Sequence, residues 1–369
     1  MRNGHRVFDA DAHVWEPPDL LEAHIDPSHR EALRSRNDGR YRSIAPNPIQ
    51  FGRLLGSEEP ASTKANVQFR GREPHPDSSR DPALRIADMD LEGIDASIVV
   101  PSGVGSFCSV EVDLELAVHR AYHRYMAEYC SPYPGRLCGV AMVSARALDD
   151  SLVELRRVGA ERWCVGVFPA VPRDMPLDSP KLEPLWAAAN ELDLTVVLHT
   201  FTFTPPYSPG ALDGSFFDNA WIARSAAHPW AGMRNIASLL GSGVLDRHQS
   251  LRVALLEAGQ GWLPYWVHRL EEQAEYMAGA LPAGVAPFSE YIRSGRYFQS
   301  IELHEGERLT KQVIDELGQD LLMFSTDYPH GESWFPRATE AFFEWDLTED
   351  VRRKLLWENA LTCFRRFDP

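Results

Sequence analysis

The chain has 369 residues, with 37 Lys and Arg against 53 Asp and Glu, and a formal net charge of −16. Apolar residues make up 44% and charged residues 24%, an ordinary globular composition that excludes a disordered or fibrous protein. The acidic balance excludes the basic surface that nucleic-acid binding needs, and no apolar run approaches the ~20 residues that cross a bilayer.

Eight short apolar runs alternate with longer helical patterns along the chain. Apolar strands separated by helices indicate a parallel sheet buried on both faces, and eight such units predict an α/β fold, the (β/α)8 TIM barrel. The alternative is an open doubly wound sheet, which usually carries a Gly-rich turn where this chain has DADAHVWEP. The predicted strands cover residues 6–14, 96–102, 136–143, 164–170, 195–200, 252–258, 297–302 and 321–329.

Two connections are too long for simple crossovers. Residues 15–80, rich in Pro, Arg, Asn and Gly, form a long insertion after strand 1, and residues 201–251 follow strand 5. Insertions at the carboxyl ends of strands usually build the rim of an active site or a lid. No linker divides the chain, so we expect residues 1–369 to form one barrel domain.

Polar residues end four of the strands, and these strand ends form the catalytic mouth of a barrel. Asp11 and His13, two residues apart, share one face of strand 1. His199, Glu257 and Asp327 end strands 5, 6 and 8. Each alone has an ordinary structural explanation, such as a buried core histidine or a turn aspartate. Together they predict a divalent-metal site, because imidazole and carboxylate suit Zn²⁺, Mn²⁺ or Fe²⁺.

Two further histidines are candidates for contact with a substrate. His228 lies in the long connection before strand 6, and His330 lies three residues after Asp327. Either could instead be structural; His228, for example, could simply end a helix before Pro229. His119 and His123 have ligand spacing on a helix, but that helix lies outside the barrel, so we expect them to be structural.

Aromatic and basic side chains near the strand ends are candidates for the substrate pocket. The aromatic residues either wall an aromatic ligand or pack the insertion. The arginines either bind a carboxylate or remain solvated. The aromatic set is Trp15, Phe201, Phe203, Tyr207 and Trp334, and the basic set is Arg53, Arg70 and Arg72.

Several segments resemble the amidohydrolase superfamily, and more narrowly its amidohydrolase-2 branch of aminocarboxymuconate-semialdehyde decarboxylase-like enzymes. They are DADAHVWEP, RIADMDLEGIDASIVVPS, VVLHT, GVLDRHQSLRVALLEAGQGWLPYWVHRLEE and MFSTDYPH. By position, the resemblance implies that Asp11, His13, His199 and Asp327 bind one divalent cation, with Zn²⁺ favoured and Mn²⁺ or Fe²⁺ as alternatives.

The chain departs from that branch at two positions. The first-strand motif of the branch is most often His-x-His, or Glu-x-His in some decarboxylases, whereas this chain has Asp11-Ala12-His13. Many of the decarboxylases carry a substrate-protonating histidine on strand 6, where this chain has Glu257. The second departure favours hydrolysis, while the resemblance as a whole favours decarboxylation.

We therefore expect a metal-dependent carboxy-lyase that decarboxylates a small aromatic or unsaturated acid without an oxidant. The alternatives are a metal-dependent hydrolase of an amide, ester or lactone, and a non-catalytic barrel that binds a small molecule. The candidate catalytic residues are Asp327, Glu257, His228 and His330. The expected partners are a small-molecule substrate and a second copy in a homodimer, without nucleic acid or membrane. With five cysteines, no CxxC motif and no signal core, we expect a cytoplasmic location.

Overall fold

Eight parallel strands form one sheet, in which each strand pairs with the next along the chain. The computed structural model describes residues 1–16, 18–36, 70–102, 104, 111–172, 174–199, 207 and 220–369. All eight predicted strands are present. They are β1 Phe8–Val14, β2 Ala96–Pro101, β3 Leu137–Ser144, β4 Cys164–Ala170, β5 Thr195–His199, β6 Val253–Leu256, β7 Tyr297–Ile301 and β8 Leu322–Phe324.

The segment that follows β8 closes the sheet against β1. Ala12 and Tyr328 form a parallel bridge. The Asp327 N–H donates to the Asp11 carbonyl oxygen at 2.9 Å, and the His13 N–H donates to the Tyr328 carbonyl oxygen at 2.6 Å. The sheet is therefore the predicted (β/α)8 barrel and not the open doubly wound alternative.

Helices cover the outside of the barrel and connect its strands. Helix α3 shows how the sequence sets such an element: the Asp81 carboxylate accepts from the Ala83 N–H, Pro82 begins the helix, and left-handed Gly93 ends it. Among the described residues, no helix is both long enough and apolar enough to span a membrane. The helices are α1 Pro18–His24, α2 Arg30–Arg36, α3 Pro82–Glu92, α4 Val112–Cys130, α5 Leu148–Val158, α6 Glu183–Glu191, α7 Ala220–Gly241, α8 Val244–Arg247, α9 Leu263–Tyr276, α10 Phe288–Arg293, α11 Gly306–Leu317, α12 Ala338–Phe343, α13 Glu349–Arg353, the π-helix Lys354–Glu358 and α14 Asn359–Cys363.

Two strands, β6 and β8, are at least three residues shorter than the apolar runs that predicted them. The runs 252–258 and 321–329 contain Glu257 and Asp327, whose φ angles are +48° and +56°. Residues other than glycine rarely adopt this left-handed backbone conformation. A residue in this conformation cannot continue the extended backbone of a strand. Strand β6 accordingly ends at Leu256, directly before Glu257, whereas β8 ends at Phe324, before Ser325 and Thr326.

The carboxyl-terminal residues pack against the amino-terminal ends of the strands. The Phe8 ring lies 5.9 Å from the Phe364 ring and 5.2 Å from the Phe367 ring. The Thr195 hydroxyl and the Arg252 Nε both donate to the Cys363 carbonyl oxygen, at 2.6 and 2.7 Å. This end of the barrel is therefore sealed by the chain itself, and the opposite mouth carries the polar strand ends.

The described end of the long insertion runs along the loop that follows β8. The Arg70 N–H donates to the Gly331 carbonyl oxygen and the Arg72 N–H to the Phe335 carbonyl oxygen. The Arg70 guanidinium lies 5.9 Å from the Trp334 ring. Residues 70–72 therefore lie against the loop that follows β8. Three residues considered for the pocket lie outside the described residues: Arg53, Phe201 and Phe203.

Candidate metal centre

Five side chains from four strand ends converge at the carboxyl-terminal mouth of the barrel. His13 Nε2 lies 3.4 Å from Asp11 Oδ1 and 3.2 Å from Asp327 Oδ1. His199 Nε2 lies 3.4 Å from the same Asp11 oxygen and 3.4 Å from Glu257 Oε2. The side chains predicted from separate strands therefore form one continuous cluster of nitrogen and oxygen atoms.

The spacing of these atoms fits a bound cation. Two ligands of one first-row ion, each at about 2.1 Å, lie roughly 3.0–3.4 Å apart. Asp11, His13 and His199 each offer a ligand atom within 4.8 Å of the others, and His13, Asp327, Glu257 and His330 form a second such set. The two sets share His13 and therefore lie next to each other at this mouth.

Buried carboxylate oxygens support the same interpretation. Both oxygens of Asp11 and the Oδ2 atom of Asp327 are buried and accept no hydrogen bond from any residue that the structure describes. Burying a charged oxygen without a partner is costly, and a cation would satisfy it. The residues present therefore fit a divalent metal ion.

The electrostatics of the cluster stabilise positive charge. Burial by itself would lower the pKa of His13, but Asp11 and Asp327 outweigh burial and raise this pKa to about 9. Burial raises the pKa of Asp11, but the imidazoles of His199 and His13 outweigh that effect, and the pKa is lowered. The site thus keeps its carboxylates ionised and attracts a cation.

Two hydrogen bonds between Asp9 and Thr326 join β1 to the segment that follows β8. The Asp9 carboxylate accepts from the Thr326 N–H at 3.0 Å and from the Thr326 hydroxyl at 2.6 Å. Asp9 is almost fully buried, and burial raises its pKa to about 7. Asp9 lies two residues before Asp11, and Thr326 immediately precedes Asp327. The Asp9–Thr326 contact therefore fixes the backbone from which two candidate ligands project.

His330 lies beside Asp327. Its Nδ1 atom is 2.5 Å from Asp327 Oδ1, and its Nε2 atom is 3.2 Å from the Ser102 hydroxyl oxygen. The side chain of His330 is 22% exposed, whereas that of Asp327 is 6% exposed. His330 therefore joins the buried carboxylate to the outer part of the mouth, as expected for a rim residue.

Glu257 connects the cluster to helix α7. Its Oε1 atom lies 3.7 Å from Nδ1 of His228, which reaches the mouth from within that helix. The Glu257 N–H donates to the Ser300 hydroxyl at 3.0 Å, which fixes the backbone at the end of β6. The structure thus brings all of the predicted site residues into one neighbourhood.

Glu302 belongs to the same mouth but was not predicted. It follows β7, is 7% exposed, and lies with Asp327 along one small cavity. Burial, with the nearby charges of Asp11 and Asp327, raises its pKa well above the ordinary value. Glu302 ends the predicted run 297–302, so the strand-end rule that found the other acids would have found it.

Two residues considered from the sequence serve the fold. The His123 Nδ1 lies 3.0 Å from Glu154 Oε1, and its Nε2 accepts from the Met142 N–H at 2.9 Å, so this histidine joins α4 to α5 and β3. Buried Tyr207 donates its hydroxyl to Glu115 on α4. Of the aromatic set, Trp15 is closer to the site, with its ring 6.0 Å from that of His330.

Comparison with known proteins gives one family and a consistent set of relatives. A family model described as amidohydrolase matches residues 8–366. Gamma-resorcylate decarboxylase of Rhodococcus jostii (strain RHA1) is 26% identical over 307 residues, which cover 76% of this chain and 87% of that protein. The gamma-resorcylate decarboxylase of Polaromonas sp. (strain JS666 / ATCC BAA-500) is 26% identical over 306 residues, covering 76% of this chain and 86% of that protein.

Solved structures share the fold over nearly the whole chain. 5-Carboxyvanillate decarboxylase from Sphingomonas paucimobilis has a TM-score of 0.72 at 20% identity, covering 98% of this chain and 99% of that one. The 5-carboxyvanillate decarboxylase of Novosphingobium aromaticivorans DSM 12444, solved with manganese and 4-hydroxy-3-methoxy-5-nitrobenzoic acid, has a TM-score of 0.69 at 19% identity. That match covers 99% of this chain and 97% of the other.

Proposed function

This chain belongs to the amidohydrolase family, and from that premise we propose that it is a divalent-metal-dependent carboxy-lyase. Its substrate is an aromatic acid with a hydroxyl group beside the carboxylate, from which it removes CO2 without an oxidant. The observation that carries the proposal is the buried cluster of imidazole and carboxylate donors around His13 and His199. The names of the relatives, decarboxylases of hydroxylated benzoates, supply the reaction class.

Asp11, His13, His199 and Asp327 would hold the metal ion. The ion, when bound, supplies a Lewis acid that polarises oxygen atoms of the substrate. Oxygen ligands suit Mn²⁺, and manganese is bound in neighbouring solved structures. The sequence favours Zn²⁺ as the bound ion, and this stays a prediction. Metal analysis of the purified protein tests it.

The reaction exchanges a carboxylate for a proton at one ring carbon. The ring carbon takes a proton, the bond between the ring and the carboxylate breaks with its electron pair left in the ring, and CO2 departs. We assign the delivery of that proton to Asp327: its carboxylate, ionised in the free site, takes a proton from the substrate hydroxyl group and passes it to the ring carbon, and the product oxygen regains a proton from water. His330, at 2.5 Å, orients this carboxyl group.

The space beside the cluster suits a small aromatic acid. A cavity of about 730 Å³ opens next to His199 and is lined by Phe168, Met175, Trp230 and Trp266. Small-molecule sites commonly have such volumes and such apolar walls. His228, on the same helix as Trp230, is a predicted substrate contact at this opening. The homodimer stays a prediction, which sedimentation would check.

The experiment is a substrate comparison with purified protein loaded with Mn²⁺ or Zn²⁺. We expect CO2 release from 2,6-dihydroxybenzoate or 5-carboxyvanillate, and no product from a panel of amides, esters and lactones. In Asp327→Asn we expect turnover to fall by at least about a hundredfold, the size of a general-acid contribution. Hydrolysis without CO2 release would instead support the hydrolase alternative, and absence of stoichiometric metal would support the non-catalytic barrel.

A further inference from the structure

We propose that Glu257 is a fifth ligand of the metal ion, so that the centre contains three carboxylates and two imidazoles. This inference rests on the proposed function only for the presence of a divalent cation, and not for the reaction. It assigns to the end of β6 a binding role in addition to the catalytic one predicted from the sequence.

The position of the Glu257 carboxylate matches that of the other ligands. Its Oε2 atom lies 3.4 Å from His199 Nε2, the same distance that separates this nitrogen from Asp11 Oδ1. A hydrogen bond between nitrogen and oxygen would usually be 2.7–3.2 Å. The separation is instead that of two ligands on one ion, roughly 3.0–3.4 Å.

Glu257 also lies within reach of the other half of the cluster. Its carboxylate, with ligand atoms of His13, Asp327 and His330, belongs to a set of atoms that are all within 4.8 Å of one another. Asp11, whose Oδ1 atom is also 3.4 Å from His199 Nε2, has two buried oxygens that accept no hydrogen bond from the described residues. Glu257 therefore has candidate ligands of both sets as neighbours: His199 at 3.4 Å, and His13 and Asp327 within 4.8 Å.

The surroundings of Glu257 hold its carboxylate toward the cluster. The residue is 8% exposed, its N–H is bonded to the Ser300 hydroxyl, and its Oε1 atom faces His228 Nδ1 at 3.7 Å. His228 therefore lies within ion-pair distance of this carboxylate. The other carboxylate oxygen, Oε2, faces His199.

An oxygen-rich centre changes which ion it prefers. Zn²⁺ in proteins usually takes four nitrogen, sulfur or oxygen ligands in a tetrahedron, whereas carboxylate oxygen suits Mn²⁺. A third carboxylate should therefore reduce the advantage of Zn²⁺ over Mn²⁺. Replacing Glu257 by histidine should restore the preference of the centre for Zn²⁺ over Mn²⁺.

The test measures metal binding without substrate. Metal-depleted full-length protein is titrated with Mn²⁺, and the free ion is followed by electron paramagnetic resonance. We expect Glu257→Gln to weaken Mn²⁺ binding by at least about tenfold, since loss of even an indirect partner commonly weakens it that much. We also expect the visible absorption of the Co²⁺-loaded protein to change in band position and intensity, because the coordination number falls.

The matched control is Glu92→Gln, the same substitution in a buried carboxyl group at the end of helix α3, which accepts from the Thr339 N–H at 2.9 Å. Glu92 lies outside the two ligand sets, so its variant should keep the Mn²⁺ affinity and the Co²⁺ spectrum of the wild type. Circular dichroism checks that both variants fold. If Glu257→Gln fails to fold, Glu257→His replaces it, and we expect its ratio of Zn²⁺ to Mn²⁺ affinity to rise above that of the wild type.

The outcomes separate this inference from the proposed function. Unchanged Mn²⁺ affinity and an unchanged Co²⁺ spectrum in folded Glu257→Gln, or an unchanged affinity ratio in Glu257→His, would overturn the fifth ligand. A wild-type protein that binds Mn²⁺ but releases no CO2 overturns only the proposed reaction. A wild-type protein that binds no divalent ion overturns both.

Discussion

Two acids of the site, Glu257 and Asp327, have left-handed backbone; Glu257 directly follows β6, and Asp327 follows the end of β8 after Ser325 and Thr326. This conformation is uncommon for residues with a side chain, and such conformations are found preferentially at functional sites. Each of the two carboxylates lies beside an imidazole, His199 or His13. Hydrogen bonds from Thr326 to Asp9 and from the Glu257 N–H to Ser300 hold the strained segments.

At the same scale, His330 should act by orienting Asp327. In His330→Gln we expect kcat to fall about 10–100-fold, as for the loss of other groups that orient a metal ligand, while KM stays near the wild-type value. Steady-state measurement of CO2 release, with metal content determined in parallel, checks this. Ser102→Ala removes only the outer contact of His330 and should have a smaller effect. An unchanged kcat in His330→Gln would make that histidine a structural residue of the rim.

The identity of the site residues could be predicted from the chain because they follow apolar runs. Asp11, His13, His199, Glu257 and Asp327 all obey this rule, and so does Glu302, to which it was not applied. The spacing between them was not predictable. It depends on how far neighbouring strands are staggered around the barrel and on left-handed residues, and neither leaves a residue pattern in the chain.

At the scale of elements, helix α4 shows why spacing alone is a poor guide to metal sites. His119 and His123 are four residues apart, yet both are buried where the helix packs against the barrel. His123 is bonded to Glu154 and to the backbone of Met142. These histidines contribute to the packing of the helix, as expected from its place outside the barrel.

Burial of His119 predicts a dependence of stability on pH. Burial, with the charges of His123 and Arg120, lowers the pKa of His119 to about 3 from an ordinary 6.5. Between pH 6.5 and pH 3 only the unfolded chain binds the proton, so stability falls as the pH falls through this window and is constant above it. His119→Gln removes this contribution.

Urea unfolding of wild type and His119→Gln at pH 7.5 and pH 5 measures the effect. The free-energy difference between the two proteins should shrink toward pH 5 by up to about 2 kcal/mol, the proton-binding term of one histidine over 1.5 pH units. A difference that is the same at both pH values would show that the pKa of His119 is not lowered.

At the scale of the whole molecule, the candidate metal centre lies where β1 and the segment after β8 close the barrel. Asp11 and His13 belong to β1, and Asp327 follows β8. The two backbone bonds between these segments are the closing contacts of the sheet. The closed barrel could be predicted from eight units of strand and helix, but the residues that form the closing bonds could not, because residues 326–328 are polar or turn-forming. The one-domain organisation of the chain stays a prediction.

Removal of the metal should therefore loosen this closure more than the rest of the barrel. We expect chelation to increase hydrogen exchange at the Asp327 and His13 amides, because the ion no longer joins the two segments that these amides connect. Amides between β3 and β4, such as that of Gly166, should be unaffected. Mass spectrometry of deuterated peptides from holo and chelated protein measures this. Equal protection in both forms would place the ion away from the closure.

The aromatic packing of Phe8 with Phe364 and Phe367 lies at the opposite end of the strands from the metal ligands. In barrels of this kind, folding stability and chemistry reside at different ends. Substitutions in the loops at one end can therefore change the small molecule that the barrel accepts, while the terminal phenylalanines maintain folding at the other end. Ligand preference and folding stability therefore depend on separate sets of residues.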